Sequence, residues 1–374
     1  MTIFRATCAS GKNWEEVAER CEDALCGEPL QANIGFLYVT EALAPYLDNL
    51  LTRLREKTAI ADWIGTIGTG ICCTGQEIYD EPAAAVMLAR FPQDSYRLLP
   101  TGIKPLADML TENQDWLDSN NVHFGIVHGD PHNNQVPQII DSLSAQLDPG
   151  FLVGGLTSSA DAMLQQQIAG GITEGGLSGI LLSGDITVIS GLTQGCTPLG
   201  SKHTITRCEG NLLAELDGRP ALDVFREDIG ATLANDLSQV AGRIFAGIPV
   251  PGSDTGDYLV RNLTGIDPDE KLLAIGDNLE NDARIMFCQR NTEAAREDML
   301  RMLADLGKRA GGQILGGLYY SCLGRGRHQF GDDSEELKMI TEQLGEFPLV
   351  GFFANGEVSH NRLYGYTGVL TLFV

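Results

Sequence analysis

The sequence predicts an α/β fold of mixed sheets covered by helices, built from repeated β-α-β-α-β-β units in two lobes. Short hydrophobic segments, several of them rich in glycine, alternate with segments whose apolar residues recur at helical spacing. The same order of elements occurs three times along the chain. With 374 residues, the chain is long enough for two domains or one large two-lobed unit.

The first unit starts with an alternating segment at residues 2–9, which predicts a strand. Asn13 is then suited to cap a helix, because Glu16 follows three positions later as in a capping box. That helix has its apolar residues on one face, namely Trp14, Val17, Ala18, Cys21 and Leu25. The unit continues with a strand at 34–39, a helix with a leucine stripe at 43–54, a Gly-rich strand and turn at 63–70 and a strand at 84–91.

The second and third units follow the same order. The second has strands at 95–102, 122–129, 151–155 and 179–189 and helices at 106–117 and 136–147. The third starts near Arg284, with strands at 284–289, 316–322, 349–353 and 368–373 and helices at 299–306 and 337–344. A strand-rich insertion of about 90 residues separates these two units. We expect ligand sites where Gly-rich strand ends meet loops.

Charge and composition exclude several classes of protein. Lys and Arg number 26 against 50 Asp and Glu, so the net charge is −24, whereas nucleic-acid binding needs a basic surface. No polybasic segment, signal peptide or apolar run of about 18 residues occurs. The nine cysteines lack metal-site spacing and no cofactor motif is present, so we expect reduced thiols, no metal and no cofactor. These features predict a cytoplasmic protein whose partners include neither nucleic acid nor membrane.

The motif HGDPHNN at residues 128–134 has three interpretations. It is similar to the catalytic loop of small-molecule phosphotransferases, in which Asp130 would accept a hydroxyl proton, but Gln135 stands where a magnesium-binding Asn is needed. The alternating residues His128, Asp130 and His132 could instead bind a metal, although no fourth ligand is nearby. The simplest interpretation is a strand end that turns into a helix capped by a side chain of the motif.

Cys322 is the candidate nucleophile of the chain. It lies at the end of a strand, and the charges of Arg325 and Arg327 could lower the pKa of its thiol. A thiol-dependent hydrolase or transferase is therefore one interpretation. The other is a small, buried, apolar residue at a strand end.

A second interpretation of the same region is a binding site. Arg325 lies between two glycines, which predicts an exposed guanidinium able to bind a carboxylate with two hydrogen bonds. Glu357 follows Asn355-Gly356, a tight-turn sequence that can direct its carboxylate into a pocket. An arginine and a carboxylate in one site would match the two ends of an amino acid. With the Gly-framed segment around Cys196, the predicted ligand-binding residues are Cys196, Cys322, Arg325, Asn355 and Glu357.

Several segments carry a family resemblance. The segments GCTPLG, NLLAELDGRPALDVF, YSCLGRG and FPLVGFFANGEVSHNRLYGYTGVLTLF resemble the C-terminal FIST domain in order and spacing. The segments NIGFLYVT and WIGTIGTGICCTGQEI resemble the N-terminal FIST domain. The resemblance covers nearly the whole chain and implies an N-terminal FIST domain at 1–195 and a C-terminal FIST domain at 196–374.

The resemblance also implies a function. FIST proteins are regarded as intracellular sensors of small ligands such as amino acids, and they are often fused to signalling modules. The family motifs GCxPxG, SCxGRG and GF…GE correspond here to Gly195, Cys196, Pro198 and Gly200, to Cys322, Gly324, Arg325 and Gly326, and to Gly351, Phe352, Gly356 and Glu357. We expect a stand-alone, non-catalytic sensor of amino acids or related small carboxylates that acts through a separate signalling protein. The alternatives are an enzyme that uses the Cys322 thiol, a phosphotransferase that uses Asp130, and a protein–protein adaptor.

Overall fold

The computed structural model describes residues 4–26, 31–100, 105–147, 150–161, 163–250 and 258–374. The chain divides into two units, the first made of Met1–Thr193 and Asp298–Val374 and the second of Gln194–Glu297. Strands and helices alternate along the first unit, and the second is richer in strands. The predicted mixed α/β fold is therefore confirmed.

The helices and strands have the following bounds. Up to residue 99 they are β1 (Phe4–Ser10), α1 (Trp14–Leu25), β2 (Ile34–Thr40), a 3₁₀ helix (Glu41–Tyr46), α2 (Leu47–Thr58), β3 (Asp62–Gly68), β4 (Gly70–Cys73), β5 (Gln76–Tyr79), β6 (Ala83–Ala89) and β7 (Tyr96–Leu99). Up to residue 194 they are α3 (Leu106–Glu112), α4 (Gln114–Ser119), β8 (Phe124–Gly129), α5 (Val136–Ser144), β9 (Phe151–Leu156), β10 (Gln167–Ala169), β11 (Gly171–Thr173), β12 (Leu177–Leu182) and β13 (Val188–Gln194).

The remaining elements complete both units. From residue 196 to 290 they are β14 (Cys196–Glu209), β15 (Leu212–Leu216), β16 (Arg219–Pro220), α6 (Ala221–Asp228), α7 (Gly230–Ala234), a 3₁₀ helix (Leu237–Gln239), β17 (Ile244–Pro249), β18 (Tyr258–Asp267), β19 (Leu272–Ile275) and β20 (Arg284–Arg290). The last are α8 (Thr292–Ala310), β21 (Gly316–Cys322), α9 (Arg327–Phe330), α10 (Glu335–Leu344), β22 (Leu349–Ala354), β23 (Glu357–His360), β24 (Arg362–Tyr364) and β25 (Thr367–Phe373).

The first unit contains three six-stranded sheets that exchange hairpins. Their orders are β1-β6-β2-β3-β10-β11, β24-β23-β9-β8-β12-β7 and β13-β25-β21-β22-β4-β5. Each sheet has one parallel pair, which is β2 with β3, β8 with β9 or β21 with β22. The hairpin after each pair joins another sheet, so that β4 pairs with β22, β10 with β3 and β23 with β9. The sheets share one arrangement, but their origin as repeated copies stays a prediction.

Each parallel pair is tightly packed at one glycine. A Cβ atom added to Gly65, Gly154 or Gly351 would lie only 1.7–1.8 Å from the carbonyl oxygen of the residue paired with it in the neighbouring strand. No other residue can occupy these positions without a movement of the backbone. The Gly-rich strands of the sequence therefore reflect close contact between strands.

The three sheets share a hydrophobic core that contains a small polar cluster. The Tyr38 hydroxyl lies 3.2 Å from His128 Nε2 and 3.0 Å from the Tyr320 hydroxyl, and Phe352 stacks on the Tyr38 ring. Burial lowers the pKa of His128 to about 3, so its imidazole is neutral. The helices cover the sheets from outside, with α1 and α2 on the first sheet and α5 on the second.

The second unit is built on a seven-stranded sheet of order β14-β20-β17-β18-β19-β15-β16, which the pairing of β14 with β15 closes into a ring. The expectation that residues 284–289 open the third copy is wrong, because β20 pairs here with β14 and β17. The edge strand of the third sheet is β13 instead. The sheet that each strand joins is decided by long-range pairing.

The predictions of local structure have mixed outcomes. Asn13 Oδ1 accepts the Glu16 N–H at 2.9 Å, as the capping box predicts. The single helix expected at 106–117 is wrong, because Asn113 separates α3 from α4 and its side chain donates to the Met109 carbonyl at 2.8 Å. A disulfide between Cys8 and Cys73 departs from the expectation that all thiols are reduced.

Candidate functional site

Three of the five predicted site residues lie close together in the first unit. β21 ends at Cys322, the turn after it contains Arg325, and β23 begins with Glu357. Cys322 is 7% exposed and the other two are 0% exposed. Burial raises the pKa of the Cys322 thiol and of the Glu357 carboxyl, and the nearby Arg325 charge opposes both shifts. The structure thus brings three of the five predicted residues together, but it encloses them; that they bind a ligand stays a prediction.

Arg325 is held by Glu336 of α10. Its Nε donates to Glu336 Oε1 at 2.7 Å, and its Nη2 lies 2.6 Å from the same oxygen. Glu336 also accepts hydrogen bonds from the Tyr319 hydroxyl (2.7 Å), the Ser321 hydroxyl (2.9 Å) and the Gly326 N–H (3.1 Å). The prediction of an exposed guanidinium is therefore wrong. The flanking glycines allow the tight turn, and the partner on α10 buries the charge.

The cluster is not fully satisfied by hydrogen bonds. Arg325 Nη1 and Glu357 Oε1 have no hydrogen-bond partner among the residues that the structure describes. The other carboxyl oxygen of Glu357 accepts from the Thr367 N–H at 3.1 Å and the Thr367 hydroxyl at 2.7 Å. Burial raises the pKa of Glu357 to about 8, although the bonds from Thr367 oppose the shift. The Glu357 carboxyl is therefore mostly protonated at neutral pH.

The Cys322 thiol has the environment of a buried group. Burial and the Glu357 charge raise the pKa of the thiol. The backbone N–H groups of Gly324 and Tyr366 point to its sulfur and oppose this shift, but the net change is upward. A thiol with a raised pKa stays protonated at neutral pH and is a poor nucleophile. The geometry favours the interpretation of Cys322 as a buried residue at a strand end.

Among the described residues, the remaining two predicted residues form their hydrogen bonds with groups outside this cluster. Asn355 is exposed in the turn between β22 and β23, and its N–H donates to the Leu156 carbonyl at 3.0 Å. Cys196 belongs to the second unit, at the start of β14. Its thiol forms a hydrogen bond with the free thiol of Cys288, and its carbonyl accepts the Tyr258 hydroxyl at 2.5 Å. That the five residues contact a ligand stays a prediction.

The HGDPHNN motif forms the turn between β8 and α5. Asp130 Oδ1 accepts the His132 N–H at 2.8 Å, and Asn133 Oδ1 accepts the Gln135 N–H at 2.9 Å. His128 lies in the core, whereas His132 is exposed. The strand end therefore turns into a helix as in the simplest interpretation, but the predicted side-chain cap is wrong, because Gln135 is the N-cap of α5 and its side chain makes no capping hydrogen bond. Across the described ranges no group of three or more His, Cys, Asp or Glu side chains is arranged to hold a metal ion.

Sequence reasoning missed a cavity of about 830 Å³ in the first unit. It lies beside the starts of β3 and β7 and the segment that follows β6. Its charged lining residues are Asp62, Arg90, Asp94 and Arg97, and its polar lining residues are Gln31, Asn33, Gln93 and Tyr96. The only sequence signal was the dense charge of residues 90–97, which is common on exposed loops. A volume of this size is typical of small-molecule sites.

Two of the four charges in this cavity neutralise each other. Arg97 Nη2 donates to Asp94 Oδ1 at 2.5 Å, and Arg97 Nη1 donates to the Tyr96 carbonyl at 2.8 Å. The Arg97 guanidinium also lies over the Trp116 ring, 4.6 Å from its centroid. Arg97 is thereby fixed in the wall of the cavity.

The other two charges face neutral partners. Arg90 donates to the Gln31 side-chain oxygen, and Asp62 Oδ2 accepts the Tyr96 hydroxyl at 2.8 Å. Burial and the bond to Asp62 raise the pKa of Tyr96, so its hydroxyl stays protonated and remains a donor. Among the described lining residues, one cation and one carboxylate are therefore left to bind a ligand.

Two protein-family models and several known proteins match this chain. A model of the FIST N domain matches residues 33–219 and a model of the FIST C domain matches residues 221–360. An uncharacterized protein of Mycobacterium tuberculosis is 32% identical over 343 residues, which is 87% of each chain. An uncharacterized protein of Mycobacterium bovis is 29% identical over 380 residues, covering 96% of this chain and 94% of the relative.

Comparison with solved structures adds little. Cyanuric acid hydrolase aligns over 100% of both chains at 9% identity, with a TM-score of 0.31, which is too low to carry an argument.

Within the described ranges, every helix is too short or too polar to span a bilayer. The division of the chain into domains at 1–195 and 196–374 stays a prediction.

Proposed function

Because the chain belongs to the FIST family, we propose that it is a non-catalytic sensory protein whose ligand is an amino acid or a related small carboxylate. FIST domains are linked to sensing in signal transduction. The proposed sensor works in the cytoplasm and passes its signal to a separate protein partner.

The observation that carries this proposal is the cavity with unneutralised charges of both signs. Arg90 has a neutral partner in Gln31, and a guanidinium is well suited to bind a carboxylate with two parallel hydrogen bonds. The cavity is open to solvent, unlike the Arg325 cluster, and a volume of about 830 Å³ accommodates a metabolite of this size. These features favour ligand exchange at Arg90 over exchange at Arg325.

No contact in the described residues favours catalysis as a second function. The Cys322 thiol is 7% exposed and its pKa is raised, and the Asp130 carboxylate caps its own turn. An enzyme that uses either residue would need an exposed nucleophile or a phosphate-binding loop beside it. The phosphotransferase therefore serves as a rival outcome of the test.

A thermal-shift screen with the purified protein tests the proposal. A ligand at 100 times its Kd stabilises the native state by about 2.7 kcal/mol, which is enough to raise the Tm by several degrees. We expect a selective shift with one or a few amino acids or small carboxylates at millimolar concentration, and loss of that shift in Arg90→Gln. A shift with Mg-ATP alone would support the phosphotransferase, and no shift with any small molecule would favour an adaptor.

A further inference from the structure

The cavity contains a carboxylate whose placement gives the ligand a second point of recognition. Asp62 is the first residue of β3, and its side chain lines the cavity. Oδ2 accepts the Tyr96 hydroxyl at 2.8 Å, whereas Oδ1 accepts no hydrogen bond from the described residues. The Tyr96 hydroxyl, which also lies 3.0 Å from the Asn33 carbonyl, binds one carboxylate oxygen and leaves the other available to a ligand.

The other carboxylate of the cavity is not available in the same way. Asp94 is bound by Arg97, and the guanidinium is itself held by the Tyr96 carbonyl and the Trp116 ring. A positively charged ligand group would have to displace Arg97 to reach Asp94. Among the residues that the structure describes, Asp62 has no such cationic partner, and its contact is a neutral hydroxyl.

We propose that Asp62 is a specificity-determining residue, and that it makes the cavity select ligands with an ammonium group beside their carboxylate over simple carboxylates. The inference rests on the proposed function. In it, the ligand carboxylate binds Arg90 and the ligand ammonium group binds Asp62 Oδ1. A simple carboxylate would leave Asp62 facing the ligand without a cation and would gain only the contact with Arg90.

Matched pairs of ligands separate these two contacts. The probes are L-glutamate with glutarate, L-alanine with propionate and L-norvaline with valerate, each titrated calorimetrically into the full-length protein. We expect the amino acid of at least one pair to bind more tightly than its partner acid. A hydrogen bond between charged groups contributes enough for a difference of about tenfold to a hundredfold in Kd.

Two variants of the cavity should then respond differently. Asp62→Asn keeps an oxygen that can accept the Tyr96 hydroxyl but removes the charge, so it should weaken the amino acid about tenfold and leave the simple acid unchanged. Arg90→Gln should weaken both members of a pair. Asp94→Asn is the matched control, because it removes a carboxylate that Arg97 already neutralises and should leave the ratio of the two Kd values unchanged.

The possible results distinguish the inference from the function on which it rests. If simple carboxylates bind the wild type as tightly as amino acids do, or if Asp62→Asn keeps the same preference, the role of Asp62 is refuted while the carboxylate sensor stands. If no carboxylate of either kind binds the folded wild-type protein, the proposed function fails first. If Asp94→Asn abolishes the preference, Asp94 rather than Asp62 selects the ligand.

Discussion

Arg325 and Glu336 form an ion pair in which Nη2 lies 2.6 Å from Oε1 and neither side chain is exposed to solvent. The pair joins the turn after β21 to α10, eleven residues further along the chain. The Glu336 carboxylate also accepts hydrogen bonds from two hydroxyl groups of β21. Arg325, which the sequence predicts to contact a ligand, therefore connects the turn after β21 to α10.

Loss of Arg325 should therefore destabilise the fold. We expect Arg325→Ala to lower the free energy of unfolding by about 3–5 kcal/mol, because the Glu336 charge would stay buried without its partner. Arg327→Ala is the matched control, since its pair with Asp80 is partly exposed and should contribute about 0–1 kcal/mol. Urea unfolding followed by circular dichroism measures both. Equal losses in the two variants would show that the buried pair has no special weight.

Glu357 should make stability depend on pH. Its pKa is about 8 in the folded protein against 4.5 ordinarily, so its contribution is complete below pH 4.5 and is lost as the pH rises toward 8. The loss should not exceed about 1.4 kcal/mol per pH unit. We expect Glu357→Gln to match the wild type near pH 5 and to be more stable at pH 8, in urea unfolding across that range.

The control for this prediction is an exposed carboxylate. Glu342→Gln on α10 removes a side chain that faces solvent, and it should follow the pH dependence of the wild type. A difference between Glu357→Gln and the wild type that stays constant from pH 5 to pH 8 would contradict the raised pKa.

The glycine contacts between parallel strands should be sensitive to the smallest side chain. In Gly351→Ala the new Cβ would lie 1.7 Å from the Tyr319 carbonyl oxygen, so β21 and β22 must separate. We expect a loss of more than about 3 kcal/mol, beyond ordinary overpacking, or no soluble protein. Gly171→Ala places its Cβ in open space and should leave the Tm nearly unchanged. A tolerated Gly351→Ala would mean that the strands are not held at this distance.

A thiol count tests the Cys8–Cys73 disulfide. The structure leaves seven cysteines free, so the unreduced protein, unfolded in guanidinium, should react with about seven equivalents of a thiol reagent. Prior reduction should raise the count to nine, the number in the sequence. Nine equivalents without reduction would restore the expectation from the sequence that every thiol is reduced.

The sequence by itself determined the elements whose causes are local. The cap at Asn13, the apolar faces of the helices and the Gly-framed strands all depend on residues a few positions apart, and these were predicted correctly. It also identified the family, because the order of its motifs is written in the chain. Cys322, Arg325 and Glu357 each lie beside a recognisable strand end and are close to one another in the structure, whereas their role in ligand binding stays a prediction.

Only the tertiary structure decided what those residues contact. Glu336 has no sequence feature that marks it as the partner of Arg325, and the pairing that places β13 and β20 in different sheets is long-range. The cavity combines Asp62 with residues 90–97, which come from separate elements. Burial, ion pairing and strand exchange depend on distances between remote segments, and residue spacing along the chain does not encode those distances.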